Sequence, residues 1–302
     1  MRRYFIRFLA FILICYLFDL SLFYLLNRPS RHFDWRYGKV REQKINADIL
    51  IIGSSRGARG INAEILEKES GLSSFNFCYP GSSLPFHLYC FETYLKEQKH
   101  KPKIVLLAVD DDNAFKDNPW LSFRTNVLYG HTKYQDVNNL LMAFGENHWL
   151  SKYFNIAKLR PIHLGIGNQK GAVTDYISPL GSMPLRIKNE NFIFATLDTS
   201  STNYDSINEM PGYLEAFKNI QQLCITNKIQ LLVCIPPNYL RPSLSFLNRV
   251  KELSFEETPV LSQNTSTSAY RDSSYYYDSS HLNYRGSIVY SKELVKYILH
   301  YK

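Results

Sequence analysis

Two short stretches at opposite ends of the chain hold side chains able to run acyl chemistry. Near the front, an apolar run ends in Gly53, Ser54, Ser55 and Arg56; near the tail stand Asp278, Ser279, Ser280, His281, Leu282 and Asn283. A serine hydroxyl is protonated near neutral pH, so it attacks a carbonyl only with a base within hydrogen-bond reach, and an imidazole is the side chain best matched to that task. His281 is the candidate base and a serine of the Ser54-Ser55 pair the candidate nucleophile. Asp278, three residues before His281, is placed to hold the other ring nitrogen and to stabilise the imidazolium that forms on attack. Gly81, in the turn Pro80-Gly81-Ser82-Ser83, suits an oxyanion donor because a residue without a side chain lets its N–H approach a substrate closely. Each piece also has an ordinary reading: Gly-Ser-Ser is common turn chemistry, and Asp278 and Ser280 are able to cap a following helix. Their conjunction in chain order and context favours catalysis.

The elements that must position these residues alternate between strand and helix. The runs Asp48–Ile52, Phe75–Cys78, Lys103–Val109 and Ile229–Ile235 are short and apolar, as strands buried on both faces of a parallel sheet are. Asn62 offers a helix cap before a segment that Gly71 stops; further helices are expected from Leu84 to Leu95, from Tyr213 to Asn227 and after Gly286. The expected fold is α/β, three layers with a central parallel sheet and helices on both faces, and ligands of such folds bind at the carboxyl ends of the strands. Residues 28–46 read as a basic stalk and 47–302 as the α/β domain, interrupted at about 114–208. That interruption is rich in Asn, Gly, Ser and Tyr, with a helical patch near Val137–Ala157 and a strand-like Asn191–Leu197; it reads as an insertion able to wall or cap the site.

A serine on the turn after a first strand, with Asp-x-x-His ahead of a last helix, resembles the SGNH (GDSL-type) hydrolase superfamily, closest to bacterial membrane-anchored members that handle acyl groups on envelope polysaccharides. The resemblance implies Ser55 as nucleophile, with Ser54 in the place usually taken by Asp, and Gly81 as the glycine of the second motif. The third motif departs from the pattern: where Gly-x-Asn-Asp is usual, the chain reads Val109, Asp110, Asp111, Asp112, Asn113. In strict register Asp111 stands where the oxyanion-binding Asn is expected, and an ionised carboxylate repels a developing negative charge. Either Asn113 reaches in through a shifted turn, or the hole relies on the backbone amides of Ser55 and Gly81. Arg56 is a candidate contact for a substrate anion, or a partner of these aspartates. The resemblance implies a serine esterase or O-acyltransferase acting on acyl, foremost acetyl, esters of envelope carbohydrate, with no cofactor.

Residues 1–27 read as a membrane anchor. From Phe8 to Leu26 the only charge in 19 positions is Asp19, which at about 1.5 Å per residue crosses most of a bilayer's hydrocarbon. No small-residue cleavage pattern follows, so an uncleaved anchor is expected rather than a signal peptide. Arg2, Arg3 and Arg7 precede the run and Arg28, Arg31 and Arg36 follow it, which leaves orientation open on charge alone. Envelope chemistry would place the domain outside the cytoplasmic membrane, beside polysaccharide machinery. The net charge of +8 is spread thinly over 302 residues, which argues against nucleic acid as a partner. The five cysteines are odd in number and scattered, so no disulfide framework is implied. The Asp110–Asn113 group lacks a second cluster to complete a metal site and reads as a turn, and the Tyr275–Tyr277 run reads as aromatics packing on alternate faces. The alternative function is a catalytically silent module of the same fold that binds envelope glycan or a partner protein.

Overall fold

The structure is a computed structural model, described over residues 1–26, 34–110, 113–160, 176–186, 203–239, 244–262, 270 and 272–301. Its centre is a sheet of five parallel strands in the order β2-β1-β3-β4-β5. These are β1 (Ile49–Gly53), β2 (Ser74–Asn76), β3 (Ile104–Ala108), β4 (Gln230–Ile235) and β5 (Val260–Ser262). All five residues of β1 and of β3 are buried. Such continuous burial is why these strands read as unbroken apolar runs, since a parallel sheet is covered on both faces.

Alternate strand residues face opposite helical layers. Ile49, Ile51, Leu106, Ala108, Leu232 and Cys234 share a core with α3 (Ser55–Gly60), α4 (Ala63–Ser70) and α9 (Tyr284–His300). The opposite face meets α5 (Leu84–Glu97) and α7 (Pro211–Thr226), which also pack on each other. Local chemistry starts and stops these helices. The Asn62 side chain accepts from the Ile65 amide at the start of α4, and Gly71 ends it in the left-handed conformation at φ 73°. Asn283 caps α9 by accepting from the Gly286 amide.

Several segments differ from the sequence expectation. Residues within the stretch read as a basic stalk form α2 (Trp35–Arg41), where Arg36 is fully buried against the Asp34 carboxylate. A charge pattern that suggested solvent is instead neutralised pairwise. Strand β5 and helix α8 (Leu244–Leu253) were not anticipated. β5 is short and only partly buried, so its apolar signal is weak, and α8 is anchored by Phe246 against Phe115.

The chain divides into two compact units, Met1–Gly38 with Thr125–Thr174, and Lys39–Arg124 with Asp175–Lys302. The stretch read as one insertion is thus shared out. Its first residues and 176–186 belong to the sheet unit, where the Met183 amide bonds the Ala58 carbonyl at 2.7 Å. Residues 125–160 carry α6 (Gln135–Ala143) and short 3-10 turns, close to the expected helical patch. The strand-like Asn191–Leu197 lies outside the described residues.

In the first unit, α1 (Arg2–Leu26) is long and apolar enough to span a membrane, with a mean hydropathy of 2.3 over its best window. Asp19 on α1 accepts from the amides of Asn155 and Ile156 and from the Asn155 side chain at 2.7–3.0 Å.

The close seat of α3 on the sheet depends on Gly57, where a Cβ would lie 2.6 Å from Cys78 Sγ and 2.8 Å from Ala108 Cβ. Alanine gains about 1 kcal/mol of helix propensity over glycine, but overpacking a tight core costs about 1–3 kcal/mol. Gly57→Ala is expected to lower unfolding free energy by about 1 kcal/mol or more, measured as a lower urea midpoint with an unchanged slope.

Candidate active site

At the carboxyl end of β1 the chain turns at once into α3, so Ser55 is the first residue of a helix directly above a strand end. The turn is fixed from beneath: the Tyr79 amide donates to the Gly53 carbonyl at 2.9 Å, and the Ala58 amide to the Ser54 carbonyl at 2.9 Å. Ser54 and Ser55 part company here. Ser54 is fully buried and its hydroxyl donates to the Asp110 carboxylate, whereas Ser55 is half-buried at the rim of a cleft.

The partner residues arrive on a tight loop before α9. Tyr276 and Leu282 form an antiparallel bridge, the Tyr277 amide donates to the His281 carbonyl at 2.9 Å, and the Asn283 side chain donates to the Ser274 and Tyr276 carbonyls. From the end of β4, the Tyr239 amide donates to the Ser279 carbonyl at 3.1 Å. Asp278 to His281 form the tip of this loop. Buried Leu282 and the Gly286 backbone hold its base on the core; a Cβ at Gly286 would lie 2.3 Å from the Tyr275 carbonyl oxygen.

The structure brings Ser55, His281 and Asp278 into one hydrogen-bonded chain. His281 Nε2 lies 2.8 Å from Ser55 Oγ, and His281 Nδ1 lies 2.9 Å from each Asp278 carboxylate oxygen. The carboxylate also accepts from the Ser280 and His281 amides at 2.9 and 2.8 Å. Burial opposes the charge on Asp278, but the bonds from His281 and these amides outweigh it and hold the carboxyl below its usual range. An anchored carboxylate at Nδ1 fixes the tautomer with its free lone pair on Nε2, facing Ser55.

Ser55 and His281 open onto a cleft of about 410 Å³, also lined by Arg56, Arg59, Gly81, Asp110, Asn113, Trp120 and Ser280. Gly81 has φ +72°, a left-handed conformation that glycine adopts without strain, and a Cβ there would lie 2.7 Å from Arg124 Nη1. The Pro80–Ser83 turn is stitched to a following loop: the Ser122 amide donates to the Gly81 carbonyl and the Ser83 amide to the Ser122 carbonyl, both at 3.0 Å. That stitching brings Trp120, 82% exposed, to the cleft wall.

Every candidate residue except Asp278 lines this cleft, and Asp278 stands behind His281. Arg56 is 4% exposed on α3, and Asn113 is exposed at the rim. Asp111 and Asp112, the former in strict register with the oxyanion Asn, lie outside the described residues. Within the tyrosine run, Tyr276 is buried with its ring against Tyr239. The aromatic at the cleft is Trp120, which sequence reasoning missed: it sits in an irregular loop with no periodicity to single it out. Ser280 bonds both Asp278 Oδ1 and His281 Nδ1, whereas in the sequence it reads only as a polar turn residue able to cap a helix.

His87 was also missed. It is fully enclosed on α5, its Nε2 2.8 Å from Ser82 Oγ, beside a small pocket that reaches Asp110 and Leu121. Since Ser82 Oγ donates to the Tyr79 carbonyl, it accepts from His87 Nε2–H. Burial pushes this imidazole down to about 3, with a hydrogen bond to Ser82 partly opposing.

No family profile and no curated protein matches the chain. Among solved structures, one described as "The structure of a putative platelet activating factor from Streptococcus pneumonia" is similar at 13% identity and a TM-score of 0.38, over 97% of each chain. A likeness at that score carries no argument about chemistry, which rests on the geometry above.

The buried histidine makes a pH prediction. His87 stays neutral in the folded chain down to pH about 3, while in the unfolded chain it takes up the proton near the usual histidine value of 6.5. Stability from this residue is therefore present above pH 6.5 and falls as pH is lowered, by up to about 1.4 kcal/mol per unit. Urea unfolding across the acid range is expected to show this slope in the native chain and to lose it in His87→Gln.

Proposed function

We propose that the protein is a serine-dependent acyl hydrolase or O-acyltransferase of SGNH type. The observation that carries this reading is the chain Ser55 Oγ, His281 Nε2, His281 Nδ1, Asp278, with every link between 2.8 and 2.9 Å. Such a chain has no structural need to lie at the edge of an open cleft at the carboxyl ends of β1 and β4, yet that is where it lies.

In the proposed reaction the ester carbonyl enters the cleft beside Ser55. The hydroxyl oxygen attacks the carbonyl carbon while its proton passes to His281 Nε2; Asp278 stabilises the resulting imidazolium. The backbone amides of Ser55 and Gly81, with the Asn113 side chain, supply donors for the tetrahedral oxyanion. As the intermediate collapses, the alkoxide leaves with the proton from His281 and the acyl group stays on Ser55. Water, or a hydroxyl of an acceptor sugar, then attacks the acyl-enzyme with His281 again as base, and the choice between them separates hydrolase from transferase. The Ser54 hydroxyl donates to the Asp110 carboxylate and takes up part of its hydrogen-bonding capacity beneath the cleft.

The substrate class proposed is an O-acylated, foremost O-acetylated, envelope carbohydrate. The exposed Trp120 ring on the cleft wall supports it, since an aromatic face offers an apolar platform to a sugar ring. The protein is proposed to be held at the cytoplasmic membrane by α1, with the sheet unit on the outer side where such glycans are found. Three hydrogen bonds tie Asp19 to residues 155 and 156, a specific docking that a discarded signal segment would not need.

The test is fluorophosphonate labelling and acetyl-ester turnover by the full chain in detergent. Ser55→Ala and His281→Ala are expected to lose labelling and to lower turnover on the order of 10⁴-fold or more; Ser54→Ala is expected to keep labelling. Absence of labelling in the folded native chain would favour the silent glycan-binding module instead. For Trp120→Ala, KM for an acetylated oligosaccharide is expected to rise several-fold while turnover of a small aryl acetate is unchanged. Equal effects on both substrates would remove the sugar platform from the reading.

A further inference from the structure

The membrane helix carries a second feature that follows from where its one buried-span charge is held. The uncharged stretch around Asp19 runs from Phe8 to Leu26, about 28 Å of helix against a hydrocarbon core of about 30 Å. Asp19 stands seven residues before the end of that stretch, about 10 Å along the axis. If the bilayer instead stopped at Asp19, only Phe8–Phe18 would remain, 11 residues and about 16 Å, half of what a span requires. Residues 155 and 156, which donate to Asp19 through both backbone amides, are therefore held at or below the hydrocarbon boundary.

Next to them in sequence is a surface unlike that of a water-facing turn. Trp149, Tyr153, Phe154 and Ile156 are 60%, 68%, 52% and 51% exposed. The Trp149 and Tyr153 rings pack edge to face with centroids 6.3 Å apart, which makes the patch continuous. Lys152 is exposed within it. Further along α1, Phe23 is 3% exposed beneath Lys158, whose Nζ lies 5.6 Å from its ring centroid. The helix is thus open to lipid through Phe18 and partly covered by its own unit beyond it.

Resting on the reading of α1 as a retained anchor, we infer that residues 149–156 form a ledge that inserts into the lipid leaflet beside the carboxyl-terminal end of α1. Trp149 and Tyr153 sit at headgroup depth, where amphipathic rings are favoured, Phe154 and Ile156 enter the acyl region, and Lys152 meets headgroup phosphates. The occupant is the bilayer that α1 itself spans. Asp19 is the strut: its carboxylate is satisfied by amides of the ledge rather than by water, which makes an acid within the apolar run tolerable.

The experiment uses the full chain in phosphatidylethanolamine and phosphatidylglycerol vesicles, with Trp149 as the only tryptophan in a Trp35→Phe, Trp120→Phe background. The expected result is loss of Trp149 emission with acyl-brominated lipid and protection from aqueous iodide. Where that background fails to fold, the same quantity is read as the bromolipid-sensitive emission that Trp149→Phe removes from the otherwise native chain. Quenching by iodide with no bromolipid effect overturns the inference, and so does protection from both quenchers, which would mean a protein partner or a second copy covers the patch. Alkaline carbonate extraction and the intact mass separate this from the anchor reading. Release from the membrane or loss of the amino-terminal residues sinks both, whereas a carbonate-resistant chain of full mass with water-exposed Trp149 sinks the ledge alone.

Discussion

A 2.8 Å contact between side chains 226 positions apart in sequence depends on the seating of α9 against α3 and α4. Ser55 cannot move far, because it begins a helix that rises from β1 and is pinned through Gly57 to Ala108 and Cys78. His281 has no such strand beneath it. Its position comes from the loop tip over Leu282, from the Tyr239 amide at the end of β4, and from α9, whose Tyr290, Leu294, Val295 and Ile298 are buried in the same core as Ile61 and Leu66. A shift of α9 by even an ångström would turn this hydrogen bond into a gap, so on the proposed reading packing of the final helix bears on activity as well as on stability.

What could be read beforehand follows from the range over which each signal acts. Strands β1, β3 and β4 are continuous apolar runs because both faces are buried, and Asn62 and Gly71 announce α4 by local chemistry; all of that is written within a few residues. The approach of Asp278 to His281 is local as well, since a carboxylate three residues before a histidine closes on it in one turn. Strand β5 was not legible, because Val260, Leu261 and Ser262 are only partly buried and the strand exists by virtue of pairing with Val233 to Ile235. Trp120 at the cleft wall and His87 beneath Ser82 depend on contacts between turns, for which a single sequence has no periodic trace.

Charge was the least reliable guide to exposure. Arg36, counted among the cations after the apolar run, is fully buried by its fork with Asp34, and Arg56 is almost as enclosed. Asp19 shows the same principle in α1, which is long and apolar enough to span a membrane. An aspartate within a spanning helix costs up to about 2.5–3.5 kcal/mol when left to lipid, most at the centre. Three N–H donors from one short segment remove most of the reason for that cost. For Arg36 and for Asp19 the partner is what makes the position tenable.

The aspartate after the third strand is best understood in the same terms. A carboxylate near a forming oxyanion raises the barrier unless its charge is engaged elsewhere. Asp110 is 8% exposed and accepts a hydrogen bond from the hydroxyl of Ser54, which stands beside Ser55 in sequence but is fully buried where Ser55 reaches the cleft rim. Ser54 and Asp110 tie the end of β1 to the end of β3 beneath the cleft, and on the proposed reading the donors at Ser55, Gly81 and Asn113 meet the charge that develops above it.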